Sequence, residues 1–259
     1  FRFSIEGNDI HVYGNSAFIG DNLITVGQQI QNSLGKTLAI NFTKQVVFEN
    51  IKPSIEQVGQ GVILPSTDGL IFPFKAVSLR AVNVKIIRIF EKNIAQFFQN
   101  NQYNGYSEIN RVGNIVFKKP IDLVSKEPID YSKWNTFSLD LASMIDVEKG
   151  AIYRVVISFD KGQSLYQCKD DNGDENTIEY KLNDQDLRTF DQPGHYYSDI
   201  DYRYSYNYWS EKDNPCKNAY FQNRNRIIAT NFLASDLGII AKNAEGNSLN
   251  AYITDLKTT

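Results

Sequence analysis

The sequence predicts an all-β protein built from antiparallel β-sandwiches with one short helix. The clearest evidence lies in residues 61–98, where Leu70, Phe72, Phe74 and Ala76 alternate with the residues between them. Alternation at a period of two is what a strand with one buried face requires. The chain also holds 15 tyrosines and 16 phenylalanines among 259 residues, and aromatic side chains favour strands. Short runs of this kind, separated by turns, continue along the chain and are typical of a sandwich.

Residues 1–53 are expected to form a first unit, the C-terminal part of an immunoglobulin-like β domain. Phe3 and Ile5 precede a polar turn at residues 7–9, and a second apolar run follows that turn, which indicates a β-hairpin. The front half of such a domain is expected to precede the sequence. The boundary with the next unit is expected within residues 50–54, because a proline there interrupts strand pairing.

Residues 54–242 are expected to form the main β-sandwich. A strand over residues 82–86 alternates three apolar side chains with Asn83 and Lys85, so one of its faces should be buried. Residues 94–98 place apolar side chains at i, i+3 and i+4, which predicts the single short helix. Further strands are predicted at residues 115–123, 137–141, 151–159, 237–241 and 249–256.

Residues 168–223 interrupt the pattern of strands and are expected to be an insertion. Its only two cysteines, Cys168 and Cys216, flank a polar stretch rich in tyrosine and aspartate. In a secreted or periplasmic protein two such cysteines would most simply pair with each other. A disulfide that closes a loop of this length contributes about 4 kcal/mol at most in the chain-entropy model. The alternative is a pair of buried free thiols.

An aromatic cluster inside the insertion is the best candidate for a contact surface. Strict alternation of tyrosines over residues 202–208 predicts a strand with an aromatic face. Tyrosine and tryptophan supply rigid area with a polar tip, which suits protein interfaces and sugar stacking. The favoured interpretation is that the rings are buried against their own sandwich, and the alternative is contact with a neighbouring domain of the same chain. The cluster consists of Tyr196, Tyr197, Tyr202, Tyr204, Tyr206, Tyr208 and Trp209.

The sequence offers little support for catalysis, nucleic-acid binding or a membrane span. Its two histidines, His11 and His195, lie in different units, and no Gly-x-Ser-x-Gly nucleophile motif occurs. We therefore expect a protein that is not an enzyme and needs no cofactor. A net charge of −3 and a pI near 5.5 argue against a nucleic-acid partner. No run of 18 apolar residues is present, so no transmembrane helix is expected.

A metal site is also not expected. Asp170, Asn172 and Asp174 have the spacing of the first calcium ligands in a helix–loop–helix site. That motif requires glycine at its sixth position and glutamate at its twelfth, where this chain has Glu175 and Lys181. A solvated turn is the simpler interpretation.

Several phrases resemble the macroglobulin-like domains of bacterial alpha-2-macroglobulin family proteins, most closely the long Bacteroidetes type. They are GVILPSTDGLIFPFKAVSL, VNVKIIRIFEKNIAQFF, RVG, GAIYRVVISF, and SDLGIIAK followed by AYITDL. The resemblance covers about residues 54–259 and is strongest over 61–167 and 226–256. It implies immunoglobulin-like and macroglobulin-like antiparallel β-sandwiches, with residues 243–259 as the start of the next macroglobulin-like domain or a terminal strand.

The resemblance implies a piece of a large protease trap, in which a protease cuts a bait segment and the domain array then encloses it. The thioester motif Cys-x-Glu-Gln of that family is missing, since Ile55 precedes Glu56-Gln57 and no cysteine is near. No functional residue of the family can therefore be assigned, and only a scaffold role is implied. The implied partners are neighbouring domains of the same chain and, through the full-length protein, host or competitor proteases. The implied location is the periplasm or the cell surface, with a lipid-anchored parent as one option.

Two alternatives remain open at this stage. The first is a carbohydrate-binding or adhesion β-sandwich module that uses the aromatic cluster as a stacking platform. Coplanar rings that face solvent would favour this alternative, whereas buried rings would favour a scaffold. The second is an accessory domain of a secreted hydrolase, which would require a catalytic domain elsewhere in the full gene.

Overall fold

A computed structural model describes residues 2–7, 9–13, 20–48, 51–59, 63–64, 70–124, 129–168, 180–191, 207–246 and 248–258. Strands predominate in these residues, so the predicted all-β class is confirmed. The strands are β1 (Arg2–Glu6), β2 (Asp9–Tyr13), β3 (Gly20–Val26), β4 (Phe42–Phe48), β5 (Ser54–Gln57), β6 (Ile63–Leu64), β7 (Ile71–Val77), β8 (Ala81–Ile89), β9 (Gly113–Asp122), β10 (Asn135–Asp140), β11 (Ile152–Ser158), β12 (Ile228–Ala234), β13 (Leu237–Ala244) and β14 (Ser248–Asp255).

The prediction of a single short helix is wrong. The described residues contain five α-helices, the longest of eight residues, and four 3-10 helices of three residues each. Three of the α-helices have only four residues each, too few to show a helical period in the sequence. The helices are α1 (Ile94–Asn100), α2 (Leu141–Met144), α3 (Asp184–Asp191), α4 (Tyr208–Glu211) and α5 (Asn218–Phe221).

The chain divides into two compact units, Phe1–Ile51 and Lys52–Thr259. The described part of the first unit contains two antiparallel hairpins, β1–β2 and β3–β4. The hairpin predicted at the start of the chain is confirmed, since Ile5 pairs with Ile10 across it. Both of these isoleucines are exposed. The immunoglobulin-like assignment of residues 1–53 stays a prediction.

The second unit contains a β-sandwich of two sheets. One sheet has the order β10-β7-β5, and the other has the order β6-β12-β11-β8-β9. Adjacent strands are antiparallel except for the short β6, which pairs with β12 in parallel. The predicted alternation in β7 is confirmed, because its even-numbered residues are buried. Both sheets contribute to the main core, which includes Ile55, Phe72, Phe74, Leu139, Val82, Val84, Ile86, Tyr153, Val155, Ile157, Phe232 and Ala234.

Strand β8 is buried on both faces, although its sequence predicts one buried face. It lies between β11 and β9 in the middle of the larger sheet. One face contributes to the main core, whereas Ile87 and Ile89 contribute to a second core on the outer side of the sheet. The pairing of β8 with β9 contains a bulge between Ile86 and Ile87, so that Phe117 of β9 packs against the main core whereas Ile115 lies in the second core. The second core consists of Ile87, Ile89, Phe97, Ile109, Val112, Ile115, Ile152 and Phe190.

Helix α1 confirms the predicted helix and covers part of this second core. Phe97 is buried there, whereas Phe98 remains exposed and contacts the Phe97 ring edge-on at 5.3 Å. The chain then returns into β9 at Gly113, which pairs with Ile89. A Cβ atom at this position would collide with the backbone carbonyl oxygen of Arg88. Only glycine allows this close approach of the two strands.

The hairpin β13–β14 completes the second unit. Its two predicted strands are confirmed, and Gly246 adopts a positive φ of 72° in the turn between them. Ile239 pairs directly with Ile253, and Lys242 pairs with Asn250 on the opposite face. The two isoleucines are 65% and 67% exposed. This hairpin therefore has an apolar face that no described residue covers.

Candidate interaction surface

The two ends of the insertion are joined covalently. The structure links Cys168 to Cys216 in a disulfide, with Cα atoms 5.6 Å apart and the two residues 48 positions apart in sequence. The residues just outside the disulfide are fixed to the sandwich as well. The Leu165 amide donates to the Ser78 carbonyl oxygen at 2.9 Å, and Tyr220 of α5 is buried in the main core. The insertion therefore begins and ends at fixed points.

Helix α3 anchors the middle of the insertion on the outer side of the larger sheet. The Asn183 side chain accepts from the Asp186 amide at 3.0 Å, and the Asp186 carboxylate accepts from the Asn183 amide at 3.2 Å. This reciprocal pair is a capping box, which satisfies two amides at the start of a helix. The same carboxylate accepts from the Lys118 ammonium at 2.8 and 3.0 Å. Phe190, at the other end of α3, enters the second core.

Three buried cations lie on the outer face of the larger sheet. Lys85 stands directly opposite Lys118 in the β8–β9 pairing, and the two residues are 3% and 8% exposed. Arg154 of β11 is 1% exposed. Opposed like charges repel, and a buried cation is costly unless it is paired. Asp186 offsets part of this cost, so α3 supplies negative charge that this face of the sheet requires.

Arg154 belongs to a polar network that fastens the loop between α1 and β9. Its guanidinium donates to the Asn231 side-chain oxygen at 2.9 Å. The Asn231 amide group donates in turn to the carbonyl oxygens of Tyr103 at 2.7 Å and Gly105 at 2.9 Å. The ring of Tyr106 lies 5.0 Å from the same guanidinium, a cation–π contact. Asn231 of β12 therefore fixes two carbonyl groups of this loop, and Arg154 holds the Asn231 side chain in place.

Sequence reasoning missed these buried polar residues. Lysine and arginine that alternate with apolar residues on a strand ordinarily face water, and nothing in the local pattern of Lys85 or Arg154 departs from that rule. The acidic composition of the insertion is the one signal that points to a cationic partner. It does not reveal which face of which sheet the insertion covers.

The end of the predicted aromatic strand is helical in the structure. Tyr208 and Trp209 lie in α4, so the strand predicted over residues 202–208 is wrong at Tyr208. The Trp209 ring is 79% exposed, contrary to the interpretation that it is buried against its own sandwich. It contacts the Tyr208 ring edge-on at 5.4 Å, and the Lys212 ammonium lies 4.9 Å from its centroid. The other members of the predicted surface, Tyr196, Tyr197, Tyr202, Tyr204 and Tyr206, lie outside the described residues.

The segment that carries Trp209 is firmly anchored. Arg226 donates to the Lys212 carbonyl oxygen at 2.9 Å and to the Asp213 carboxylate at 3.1 Å. The Arg226 guanidinium also lies 3.7 Å from the ring centroid of Tyr220, whose hydroxyl donates to the Pro53 carbonyl oxygen at 2.8 Å. Burial raises the pKa of Tyr220, and Arg226 opposes that rise. Tryptophan is enriched among the residues that dominate binding at protein interfaces, so Trp209 is a candidate contact residue.

The described residues contain no group of three or more side chains suited to hold a metal ion. His11 lies 3.9 Å from the Glu6 carboxylate on the first hairpin. His195 and the predicted solvated turn at Asp170, Asn172 and Asp174 lie outside the described residues. Among the helices that the structure describes, none is long and apolar enough to cross a membrane.

Comparisons with known proteins give a likeness of fold. No protein-family profile and no curated protein matches the sequence. A crystal structure of native alpha-2-macroglobulin from Escherichia coli, spanning domains MG0-NIE-MG1, matches all of this chain at 16% identity with a TM-score of 0.51. This chain spans 64% of the length of that solved piece. A second E. coli structure, spanning domains NIE-MG1, matches 80% of this chain and 71% of its own length at 17% identity, with a TM-score of 0.42.

Proposed function

We propose that this chain is a non-catalytic scaffold fragment of a bacterial alpha-2-macroglobulin-like protease inhibitor, an endopeptidase trap. Its role is to hold neighbouring domains of the same longer chain in position. Proteases are partners of the whole protein, which acts in the periplasm or at the cell surface. The sequence phrases of the Bacteroidetes type support this proposal, and the shared fold with the E. coli protein is consistent with it.

The observation that carries the proposal is the uncovered apolar face of β13–β14. Ile239, Ile253, Leu237 and Leu249 share this face, and each is more than half exposed. An isolated two-stranded hairpin is marginally stable in water, and its apolar face needs a second layer. A neighbouring domain of the same chain is the partner that a scaffold role supplies.

The domain assignments belong to the same proposal. Residues 1–53 are the C-terminal part of an immunoglobulin-like domain, and residues 54–242 are a macroglobulin-like sandwich with the insertion at 168–223. Residues 243–259 are the start of the next macroglobulin-like domain or a terminal strand, and β14 within them pairs along its whole length with β13. The exposed hairpin lies at the C-terminal end of the second unit, which supports a contact with a further domain there.

A pair of double variants in the full-length parent protein tests the scaffold role. Ile239→Ser with Ile253→Ser removes two directly opposed side chains from the apolar face, and Lys242→Ser with Asn250→Ser changes an opposed pair on the other face. Each protein is treated with a panel of proteases, and its size and shape are followed by gel and small-angle scattering. We expect the unchanged parent and the second variant to compact and retain protease after one discrete cut. The first variant should retain much less.

Two results would contradict the proposal. If the unchanged parent is cut without compaction or retention, the protein is not a trap. If the parent traps proteases and the isoleucine variant does so equally well, the parent is a trap but the hairpin face is not a domain contact.

The exposed Trp209 supports one alternative function, a carbohydrate-binding or adhesion module. An exposed indole on a fixed support can stack on a sugar ring. Binding of the 259-residue chain to a glycan array, with Trp209→Ala as the variant and Trp134→Ala as the control, tests this alternative. Glycan binding that only the Trp209 variant loses would favour it, and an array without binding would oppose it.

A further inference from the structure

One side of the sandwich is open. Strands β9 and β10 are the end strands of the two sheets, and a groove of about 440 Å³ lies between them. Its lining includes five apolar core-facing residues, Phe74, Phe137, Leu139, Ile121 and Leu123, together with polar residues of β10. The Tyr131 hydroxyl donates to the Leu123 carbonyl oxygen, and the Ser78 amide donates to the Tyr131 carbonyl oxygen at 2.7 Å. These bonds fix Tyr131, which lies in the connection from β9 to β10, beside the groove.

Strand β10 differs from the other edges of the two sandwich sheets in lacking protection. Natural edge strands are kept from pairing by shortness, lysine, proline or bulges. Strands β5 and β6 have four and two residues, and β9 carries Lys119 and Pro120. Strand β10 has six residues, none of them lysine or proline. Its one charged residue, Asp140, lies at its end and caps α2 by accepting from the Ser143 amide at 3.2 Å.

The charged residues that line the groove indicate what kind of peptide segment would bind there. Its twelve lining residues include Asp122 and Asp130 and no basic residue. Asp130 is already paired, because the Lys133 ammonium lies 2.8 Å from its carboxylate. Asp122 is exposed and forms no ion pair with any described residue. A segment that carries a basic side chain beside aliphatic ones complements this lining.

We propose that β10 and this groove bind an extended segment of another polypeptide, which adds a fourth strand to the three-stranded sheet. Backbone hydrogen bonds to the edge of β10 supply the register, as in other cases of strand addition. Every second side chain of the segment enters the groove, and these side chains are aliphatic apart from one lysine or arginine that reaches Asp122. This inference goes beyond the scaffold role and does not depend on it.

A labelled peptide with capped ends, Ser-Val-Thr-Val-Thr-Val-Thr-Lys-Ser, is the probe. Its binding to the 259-residue chain is measured by fluorescence anisotropy, and hydrogen exchange of the β10 amides is followed in parallel. We expect binding that protects these amides. Asp122→Lys should weaken it about tenfold, the size of one favourable charge contact exchanged for a repulsive one. The control Asp146→Lys makes the same charge change at an exposed residue outside the groove and should have no effect.

Two N-methylated peptides test strand addition without altering the protein. Amides of alternate residues point to the same edge of a strand, so methylation of the valines and lysine blocks one edge and methylation of the threonines blocks the other. Loss of binding by one of these two peptides supports the proposal, and equal binding by both overturns it. Absence of binding by the unmodified peptide also overturns it. A concentration-dependent dimer that protects the β10 amides without peptide would make a second copy the occupant and would equally overturn it.

Discussion

At the scale of single residues, the main finding is that several polar side chains are structural parts of the larger sheet. Lys85, Lys118 and Arg154 occupy positions that alternate with core residues, yet all three are buried. Removing either member of a buried charged or hydrogen-bonded pair leaves the other member without a partner. The free-energy cost of that unpaired buried group exceeds what the intact pair contributes to stability. These residues should therefore tolerate substitution poorly although none of them belongs to a reaction site.

Replacing Arg154 by methionine tests this idea. The side-chain oxygen of Asn231 would lose its donor, and the loop that the network fastens would lose its support. We expect Arg154→Met to lower the free energy of unfolding by about 3 kcal/mol, measured by urea denaturation. Lys133→Met removes only an exposed ion pair with Asp130 and should cost less than about 1 kcal/mol. Equal effects of the two substitutions would show that Arg154 is not structural.

Buried tyrosines predict a loss of stability at alkaline pH. Burial raises the pKa of Tyr103 to about 12, while a hydrogen bond from the Leu233 amide opposes the rise. Burial also raises the pKa of Tyr153. The unfolded chain loses these protons near pH 10, whereas the folded chain keeps them to higher pH. Between about pH 10 and 12 the unfolded state therefore binds fewer protons, and the free energy of unfolding falls as pH rises.

The substitution Tyr103→Phe checks the contribution of one group. It should reduce the slope of unfolding free energy against pH in this window, because one of the shifted groups is gone. Tyr252→Phe, at an exposed position of β14, is the control. A slope that Tyr103→Phe leaves unchanged would mean that the hydroxyl ionises equally in both states.

At the scale of elements, the insertion is held to the sandwich by helix α3 and by the α4–α5 segment, and a disulfide joins its two ends. Helix α3 uses Asp186 twice, once as a cap and once as the partner of Lys118. The α4–α5 segment depends on Arg226 and on the disulfide from Cys216 to Cys168. The charged contact and the covalent link act at different points, so each should have its own effect on stability.

The disulfide should contribute most of its stability through the unfolded state. Closing a loop of 48 positions gives about 4 kcal/mol in the chain-entropy model. We expect the double variant Cys168→Ser with Cys216→Ser to lose up to that amount in guanidinium denaturation. A reducing agent should destabilise the unchanged protein similarly and leave the double variant unaffected. A reductant effect on the double variant would contradict this account.

At the scale of the whole molecule, the sandwich buries its apolar residues, whereas the hairpins β1–β2 and β13–β14 expose theirs. The sandwich buries its apolar residues between two sheets and in a second core. The hairpins β1–β2 and β13–β14 instead expose isoleucines on both of their strands. Stability of the isolated chain should therefore come from the sandwich, whereas the hairpin faces contribute only where a partner covers them.

Substitutions in the isolated 259-residue chain test this separation. Ile239→Ser with Ile253→Ser should change the free energy of unfolding by less than about 0.5 kcal/mol, because both side chains already face water. Ile86→Ala, in the main core, should cost about 3 kcal/mol through lost burial and the cavity that it leaves. Thermal or urea unfolding of both variants measures the contrast. A large loss in the double variant would mean that the hairpin face is already packed in the isolated chain.

The sequence by itself determined several strands of the sandwich, the face that they turn to the main core, and the pair of cysteines that flank the insertion. Period-two alternation reports which side of a strand is apolar, and this was enough for β7 and for β10. Only the tertiary structure decided that Lys118 is buried, because its partner Asp186 lies 68 positions away. The helical conformation of Trp209 and the open edge of β10 were likewise decided by tertiary structure. A local sequence pattern shows whether one face of a strand is apolar or polar. What packs against that face depends on contacts between residues far apart in the sequence.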